Sequence, residues 1–353
     1  MEDDEKKGGL SPIAKAGLTV AALIVAKKVY DSFFRRYERP DYKITPGLFN
    51  YNFYASILPR EMITFPSKNA TLQGYFYQCN KSDKLIVLSH GFHAGADDFL
   101  PMISYLVKNG FNVFAYDVRG TFSSSGSSTV GFCRWLVDID YALKFVQGNR
   151  RFKHYSIYLL GHSCGGYAVA SVLNIRKGIK ACASISAPNS GFTLLIEKGS
   201  QYAGEFASQG VPKQFLDEVQ KRQFGKYTEY TSAGGVNASK TPVFIAHGLE
   251  DEVIDFDLQS LVSHKKEFTN PNIKYYYGKH NQAGHTSILF SERSNDYQKE
   301  VNKKFKELEK EYKKEKDILY EKKKEYNATI DHYLYSEINY SLFDEIIKFF
   351  NEA

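Results

Sequence analysis

The chain has 353 residues, a formal net charge of +6 at pH 7 and 24% charged residues, with both signs mostly interleaved. This charge distribution, and the lack of zinc-finger spacing or an RNA-binding aromatic signature, exclude nucleic-acid binding as the expected activity. The length suits one large or two smaller domains, and the apolar content is too high for a disordered chain. The cysteines have no disulfide-framework spacing, which predicts free thiols in a reducing compartment. They are Cys79, Cys133, Cys164 and Cys182.

An apolar run near the N-terminus, residues 16–26, lies between Lys15 and Lys27. It is shorter than the roughly 20 residues that a transmembrane helix needs, although snorkelling lysines extend the usable stretch to residues 13–30. Three interpretations stay open: a marginal membrane anchor, an interfacial helix, or a helix docked on the domain. We expect membrane association, with the following domain on the cytoplasmic side, because more basic residues follow the run than precede it. The alternative is a soluble cytoplasmic protein.

The rest of the chain alternates strands and helices. The predicted strands are residues 62–65, 72–78, 85–88, 112–116, 157–160, 181–185, 243–246 and 273–277. Helical spacing of apolar residues falls between most of them and again at 341–350, where Ser341 would cap a closing helix. Such alternation predicts an α/β fold with a mostly parallel, doubly wound sheet that begins with an antiparallel hairpin. We therefore divide the chain into a tail with an apolar helix, residues 1–40, and one domain, residues 41–353.

Two insertions interrupt this alternation. Residues 188–241 are too long for a simple connection between strands, and helix-like stretches at 192–207 and 212–224 predict a small helical cap that ends in a loose segment. Residues 296–326 are dense in lysine and glutamate, and their apolar stripe predicts one long charged helix laid on the domain. The alternative for this segment is an interaction arm, whose protein partner the sequence does not identify.

The motif on which the functional prediction depends is GHSCG, residues 161–165, which follows an apolar strand and precedes a run of small residues. A strand, a tight turn and a helix in that order are the context of a nucleophile elbow, Gly-x-Ser-x-Gly. Glycines on either side let the strand and the helix approach, so that the serine hydroxyl projects from the rim of the sheet. Ser163 is therefore the candidate nucleophile, although such strings also occur in ordinary turns.

An acid and a histidine follow Ser163, after the ends of two later strands. The sequence HGLEDEV, residues 247–253, follows one strand, and KHNQAGHT, residues 279–286, follows the next. The carboxyl ends of parallel strands are where catalytic groups gather, so these loops supply the candidates. Serine, acid and then histidine is the chain order of the elbow-bearing hydrolases.

Together these motifs resemble the α/β-hydrolases of the monoacylglycerol lipase and serine-aminopeptidase-like group. The matching stretches are His90-Gly91, Asp117-x-Arg119-Gly120, Gly161-x-Ser163-x-Gly165, His247-Gly248-x-x-Asp251 and Gly284-His285. The resemblance implies the α/β-hydrolase fold, with Ser163 as nucleophile, Asp251 as acid and His285 as base. It also implies that the backbone N–H groups of Phe92 and Cys164 form the oxyanion hole.

Two stretches depart from the family. The Asp-x-Arg-Gly stretch usually continues with an early glycine, whereas this chain has TFSSSG at residues 121–126, so we expect a reshaped loop. The charged segment 296–326 has no counterpart in the minimal fold. Within the site, His280 stays an alternative base, and Glu250 and Asp255 stay alternative acids.

The chemistry requires these residue types. A serine hydroxyl is a poor nucleophile at neutral pH, so it needs a base, and imidazole is the side chain that titrates nearest that pH. A carboxylate would hold the ring in the right tautomer and stabilise the imidazolium. No metal-ligand spacing occurs, so we expect no metal and no other cofactor. The remaining histidines near these motifs are interpreted as structural: His90, His93, His162 and His247.

We expect a serine hydrolase that cleaves small-molecule carboxylic esters, acyl or lipid-like, through an acyl-serine intermediate. The apolar residues of the predicted cap favour an acyl chain, because they would offer apolar surface above Ser163. A peptidase or amidase of the same fold is one alternative. A non-catalytic binding protein that uses the long charged helix is the other.

Overall fold

The structure is a computed structural model that describes residues 24, 27–28, 30–79, 82–195 and 213–353. Most of the apolar stretch 13–30 lies outside these residues, and so does the part of the predicted cap at 196–212. Within the described residues, no helix is both long enough and apolar enough to cross a membrane.

The described strands form one mostly parallel sheet. They are β1 (Arg60–Ser67), β2 (Ala70–Tyr77), β3 (Lys84–Ser89), β4 (Asn112–Tyr116), β5 (Ser156–His162), β6 (Ile179–Ile185), β7 (Val243–Gly248) and β8 (Ile273–Gly278). Their order across the eight-stranded sheet is β1-β2-β4-β3-β5-β6-β7-β8. The β1–β2 and β2–β4 pairings are antiparallel, and the others are parallel. The predicted hairpin and doubly wound sheet are confirmed.

Helices cover both faces of the sheet. Those of the described residues are α1 (Leu100–Lys108), α2 (Cys133–Gly148), α3 (Cys164–Ser171), α4 (Lys213–Phe224), α5 (Ser232–Ala238), α6 (Glu292–Glu311), α7 (Lys316–Asn327), α8 (His332–Tyr335) and α9 (Tyr340–Glu352). One hydrophobic core lies on each face of the sheet. Side chains of α2, α3 and α5 pack with Val87 in one core, and side chains of α1 and α9 pack with Leu88 in the other. Successive residues of β3 therefore face opposite cores, as a doubly covered strand requires. Asn339, not the predicted Ser341, caps α9, because its side chain accepts a hydrogen bond from the Leu342 N–H at 3.2 Å.

The end of the cap is helical where the sequence predicted a loose segment. Helix α4 matches the predicted stretch 212–224, and α5 then follows in the Gly- and Ser-rich part. Gly235 lies so close to α3 that a Cβ there would come within 2.0 Å of the Ala170 carbonyl oxygen. Thr231 caps α5 by accepting a hydrogen bond from the Gly234 N–H at 3.0 Å. The small residues therefore permit close helix packing instead of marking a loop.

The charged segment forms a helical hairpin of α6 and α7 instead of the single long helix predicted at 296–326. The chain turns at residues 312–315 between the two helices. The rings of Phe305 and Tyr326 meet at 5.3 Å, and Lys323 pairs with Glu309 at 2.6 Å, so the helices run antiparallel. Folding back lets the two narrow apolar stripes cover each other, which a straight helix would leave in water.

Residues 30–39 pack on the domain. Phe34 is 1% exposed, which makes it a core residue. The connector that follows lies against the C-terminal elements, where the Leu48 N–H donates a hydrogen bond to Ser336 Oγ at 2.7 Å. The predicted boundary at residue 40 therefore cuts through a packed segment. The buried ring of Phe34, which precedes this boundary, holds the chain to the domain.

Candidate active site

Strand β5 runs directly into α3 through the turn that carries Ser163. Ser163 has φ 57° and ψ −123°, a backbone conformation that residues with a side chain seldom adopt. A Cβ on Gly161 would come within 2.2 Å of the Gly165 carbonyl oxygen. One on Gly165 would come within 2.0 Å of the Ser89 carbonyl oxygen. Both glycines are therefore needed for the strained turn, which has the geometry of a nucleophile elbow.

The structure brings together the three residues predicted as a triad. His285 Nε2 lies 2.9 Å from Ser163 Oγ. His285 Nδ1 lies 3.0 and 2.8 Å from the two carboxylate oxygens of Asp251. All three residues are nearly excluded from water, with exposures of 7% for Ser163, 8% for Asp251 and 6% for His285. An acceptor beside Nδ1 keeps the proton on that nitrogen, so that Nε2 is free to accept the serine proton.

Asp251 is held by the loop that follows β7. Its Oδ1 accepts hydrogen bonds from the N–H groups of Val253 at 2.9 Å and Ile254 at 2.8 Å. Its Oδ2 lies 3.1 Å from Nε2 of His247. Burial raises the pKa of Asp251, but the hydrogen bonds from His247 and His285 outweigh burial and hold this pKa well below its usual range. The carboxylate therefore stays charged at neutral pH.

His285 is held through its backbone. Glu252 Oε2 accepts a hydrogen bond from the His285 N–H at 3.0 Å. The His285 carbonyl oxygen accepts hydrogen bonds from His162 Nε2 at 2.9 Å and from the Ser186 hydroxyl at 3.2 Å. Burial, and then the nearby His285, lower the pKa of His162 to about 3, so its ring is neutral at pH 7. These contacts fix the position of the imidazole before any substrate binds.

Sequence reasoning missed two residues that position the site, His247 and Glu252. His247 holds a loop, as the sequence predicts, but the carboxylate that it contacts is the one beside His285. Glu252 holds the His285 backbone, a role that the sequence motifs do not indicate. The signal that could have found both is their place in the loop after β7, at the carboxyl end of a parallel strand, next to Asp251.

The loop after β3 passes directly against Ser163. A Cβ on Gly91 would lie 3.2 Å from Ser163 Cβ, so Gly91 packs against the serine. Phe92 is the next residue in the chain, which places its backbone beside the serine as well. Cys164 begins α3, where the first N–H groups of a helix have no partner within the helix. Burial raises the pKa of the Cys164 thiol to about 12, although hydrogen bonds with the Ser163 side chain and the Phe92 backbone act to lower it. The thiol is therefore protonated, and both predicted oxyanion donors belong to backbone that adjoins Ser163.

The alternative site residues lie outside this hydrogen-bonded group. His280 and Glu250 are exposed. Asp255 accepts hydrogen bonds from the backbone N–H groups two and three residues further along, both at 2.9 Å, and so acts as a cap for its own loop. In the part of the chain that the structure describes, no group of three or more His, Cys, Asp or Glu side chains is arranged to hold a metal ion.

Comparison with known proteins agrees with this architecture. Residues 80–224 match the family described as Serine aminopeptidase, S33. The protein described as Uncharacterized protein YfhR of Escherichia coli K12 is 27% identical over 206 residues, or 55% of this chain, and the chain spans 64% of the length of that curated relative.

Solved structures share the fold. The Pyrococcus furiosus esterase Pf2001 aligns with a TM-score of 0.51 and 21% identity, over 72% of this chain and 92% of that one. A second crystal form of the same esterase gives a TM-score of 0.50 and 23% identity, over 69% and 90% of the two chains. The sheet order, the elbow and these matches together show that the chain has the α/β-hydrolase fold, and its residues 80–224 are similar to the family described as Serine aminopeptidase, S33.

Proposed function

We propose that this chain is a serine hydrolase that cleaves carboxylic esters, acyl or lipid-like, through an acyl-serine intermediate. The observation that carries the proposal is the line of hydrogen bonds from Ser163 Oγ through the ring of His285 to the carboxylate of Asp251. Nucleophilic catalysis needs a base in contact with the hydroxyl and an acid in contact with the base. A serine with only a structural role requires neither.

In the first half of the reaction, Ser163 Oγ attacks the ester carbonyl carbon while its proton passes to Nε2 of His285. Asp251 stabilises the imidazolium that forms. The carbonyl oxygen becomes an oxyanion, which the N–H groups of Phe92 and Cys164 would bind, each donor contributing about 10²- to 10³-fold in rate. His285 then gives its proton to the alcohol oxygen, the carbon–oxygen bond breaks, and the acyl group stays on Ser163.

In the second half of the reaction, a water molecule replaces the alcohol. His285 accepts a proton from this water as its oxygen attacks the acyl carbon. The oxyanion forms and collapses again, and His285 returns the proton to Ser163 Oγ. The carboxylic acid leaves, and the resting state of the triad is restored.

Apolar side chains at the start of the cap support an acyl substrate. Leu194 and Leu195, at the start of the cap, are 3% and 5% exposed. They belong to the same apolar cluster as Cys164 and Tyr167, which lie on the helix that Ser163 begins. An apolar environment of this kind suits an acyl chain, whereas a charged aminoacyl group would lose its hydration there without a partner.

Peptide or amide cleavage is the second candidate function, and the match to the serine aminopeptidase family favours it. The same triad would attack an amide carbonyl, with His285 protonating the amine that leaves. The two candidates therefore share their first intermediate and differ in the leaving group. A non-catalytic binding protein is the weaker alternative, because it has no use for three hydrogen-bonded triad residues.

Covalent labelling with a fluorophosphonate probe tests the serine hydrolase. We expect the full chain to be labelled and Ser163→Ala to be unlabelled, because the probe reacts only with an activated serine. Ser171→Ala is the matched control, since Ser171 is a buried serine of the same helix outside the triad, and it should be labelled like the wild type. Labelling that persists in Ser163→Ala contradicts the proposal.

A substrate series separates the ester from the amide. We expect faster turnover of medium-chain acyl esters than of acetate esters or aminoacyl amides, because the apolar side chains of the cap favour an acyl chain. Initial rates of the full chain on all three classes measure this preference. Faster cleavage of an aminoacyl amide than of any ester would make the peptidase the better assignment.

A further inference from the structure

Residues 30–37, here called the N-terminal strap, are bound to the loop of residues 118–130. The Thr129 N–H donates to the Phe34 carbonyl oxygen at 2.9 Å, and the Tyr37 N–H donates to the Gly120 carbonyl oxygen at 2.9 Å. The backbones of strap and loop are also joined at Arg36, whose N–H donates to the Ser127 carbonyl oxygen at 2.9 Å. The strap is thus held along its length by backbone hydrogen bonds.

Side-chain contacts also join the strap to residues 121–126 of that loop. The guanidinium of Arg36 donates hydrogen bonds to the carbonyl oxygens of Ser124 at 2.7 Å, Gly126 at 3.0 Å and Phe122. The three carbonyl oxygens converge on one guanidinium. Its positive charge offsets the repulsion between their dipoles. The backbone of the TFSSSG stretch, residues 121–126, therefore binds the Arg36 side chain of the strap.

The strap touches the loop that carries the proposed oxyanion donor. The ring of Phe33 stacks on that of Phe92, with centroids 5.1 Å apart and planes 29° apart. The ring of Tyr37 stacks on that of His93 at 5.3 Å, and the His93 ring hydrogen-bonds to the Phe33 backbone. Phe34 completes the contact with its ring edge on Phe92 at 5.8 Å.

Residues 90–93, here called the oxyanion loop, need support from outside the loop. His93 has φ 52°, in the left-handed region that side chains disfavour, and its ring stacks on Phe92 at 3.9 Å. A residue in that conformation persists only where its surroundings hold it. Two residues before His93, Gly91 lies against Ser163, so a small rotation of this loop moves the Phe92 N–H relative to the serine.

The strap also reaches the cap. Gln220 of α4 donates a hydrogen bond through Nε2 to the Tyr30 hydroxyl at 2.7 Å, and this hydroxyl donates to the Val130 carbonyl oxygen. Gln220 is 1% exposed, so this bond forms away from water. The strap therefore contacts the oxyanion loop at one end and the cap at the other.

We propose that the N-terminal strap belongs to the catalytic machinery, with Phe33 as a positioning residue that keeps the Phe92 N–H aimed at the oxyanion formed on Ser163. The inference rests on the proposed function, because it requires that an oxyanion forms there. Phe33 does not touch the reacting atoms in this scheme. It acts through the ring and backbone of the loop that it covers.

The expected effect follows from the role of the donor. Losing an oxyanion donor costs about 10²- to 10³-fold in rate, and a donor displaced by about 1 Å loses up to about 10²-fold. Phe33→Ala should therefore lower kcat by about 10- to 100-fold. KM should stay unchanged, because the donor binds the transition state more strongly than the ester.

Three variants test the proposal on the full chain. Phe33→Ala removes the stacked ring, Phe33→Tyr keeps it and should restore kcat, and Phe33→Leu keeps apolar volume without a flat face and should lie between them. Phe53→Ala is the matched control, since Phe53 is an aromatic residue of the same N-terminal part that is 49% exposed, and it should keep wild-type kcat. Each variant is measured for kcat and KM on a soluble acyl ester, and for its inhibition constant with an acyl trifluoromethyl ketone.

The readouts separate positioning from mere stability. We expect the affinity for the ketone, whose adduct with Ser163 carries an oxyanion, to fall in Phe33→Ala by the same factor as kcat. Should Phe33→Ala fail to fold, Phe33→Leu shows the same pattern at smaller amplitude. Unchanged kcat in folded Phe33→Ala or Phe33→Leu, or a rise in KM alone, overturns the inference. A wild-type chain that fluorophosphonate does not label, or full turnover in Ser163→Ala, overturns the proposed function itself.

Discussion

His285 joins Ser163, at its Nε2, to Asp251, at its Nδ1. Alanine at this position removes both contacts, so we expect His285→Ala to lower ester turnover by about 10⁴- to 10⁶-fold. Asp251→Asn keeps the shape of the side chain but loses the charge that stabilises the imidazolium, and its loss should be smaller, about 10⁴-fold. Steady-state kinetics on a soluble acyl ester measures both losses.

The control for these substitutions is a neighbouring carboxylate outside the triad. Asp255→Asn keeps an acceptor for the backbone of its own loop and should retain wild-type turnover. Far-UV circular dichroism should show that all three variants fold. Turnover at the wild-type level in folded His285→Ala, with Ser163→Ala inactive in the same preparation, would mean that another base acts.

Two buried histidines make the stability of the fold depend on pH. Burial lowers the pKa of His90 to about 4 and that of His162 to about 3, from an ordinary value of 6.5. Both rings bind a proton near pH 6.5 in the unfolded chain but stay neutral in the folded one, so acid favours unfolding. Their contribution to stability is complete above pH 6.5 and is lost as the pH falls toward 4. Each ring changes the free energy of unfolding by on the order of 1 kcal/mol per pH unit in that window.

Urea unfolding between pH 7.5 and 4.5, followed by the fluorescence of the single tryptophan, Trp135, measures this dependence. We expect the free energy of unfolding to fall less steeply with decreasing pH in His90→Gln than in the wild type, because this ring no longer takes up a proton on unfolding. His154→Gln is the matched control, since His154 is exposed, and its slope should equal that of the wild type. An unchanged slope in His90→Gln would show that His90 is already charged in the folded protein.

At the scale of elements, the sheet was predictable because a strand covered on both faces must be apolar throughout. Strand β3 shows this, with Leu85, Ile86, Val87 and Leu88 all 0% exposed. The candidate site was predictable for a related reason. Its residues follow the ends of β5, β7 and β8, and parallel strands bring those ends to one edge of the sheet.

The elements that the sequence did not predict depend on partners distant in the chain. The Gly235 backbone approaches Ala170 of α3, which no local pattern reveals, so the α5 segment reads as a loop. The turn between α6 and α7 is stabilised by the contact of Phe305 with Tyr326, whereas the local charge pattern favours one continuous helix. The strap is likewise held by the loop of residues 118–130, which no local pattern near the N-terminus reveals.

The hairpin of α6 and α7 should be held more by its ring contact than by its ion pair. Phe305 and Tyr326 pack edge to face at 67°, and such pairs contribute about 0.5–1.5 kcal/mol. Lys323 and Glu309 are partly exposed and contribute at most about 1 kcal/mol, because water screens them. We expect Phe305→Ala to speed amide hydrogen exchange of Lys316–Asn327 clearly more than Glu309→Gln does.

Ester turnover supplies the control for the hairpin, because neither substitution touches the triad, and kcat should stay at its wild-type value in both. Faster exchange in Glu309→Gln than in Phe305→Ala would assign the stability of the hairpin to its charges instead. A loss of kcat in either variant would show that the hairpin acts on the site, which nothing in its described contacts requires.

At the scale of the whole molecule, the N-terminal connector and the C-terminal elements hold each other. The Tyr320 hydroxyl donates to the Asp41 carboxylate at 2.9 Å, and Asn327 Nδ2 donates to the Tyr42 carbonyl oxygen at 3.3 Å. Residues before Asp41 are joined to the site through the strap. A chain shortened to Asp41 would therefore lose part of the folded domain together with the apolar run, so it cannot test membrane binding alone.

Membrane association through residues 13–30 stays a prediction from the sequence, and a chain that begins at Tyr30 tests it with the strap intact. We expect the full chain to float with liposomes and the shortened chain to stay behind, because only the full chain carries the apolar run between lysines. Both chains should hydrolyse a soluble ester at the same rate, since Tyr30 and the strap remain. Only the full chain should gain rate when the ester is embedded in the bilayer. Recovery of the full chain entirely in the unbound fraction would exclude the anchor.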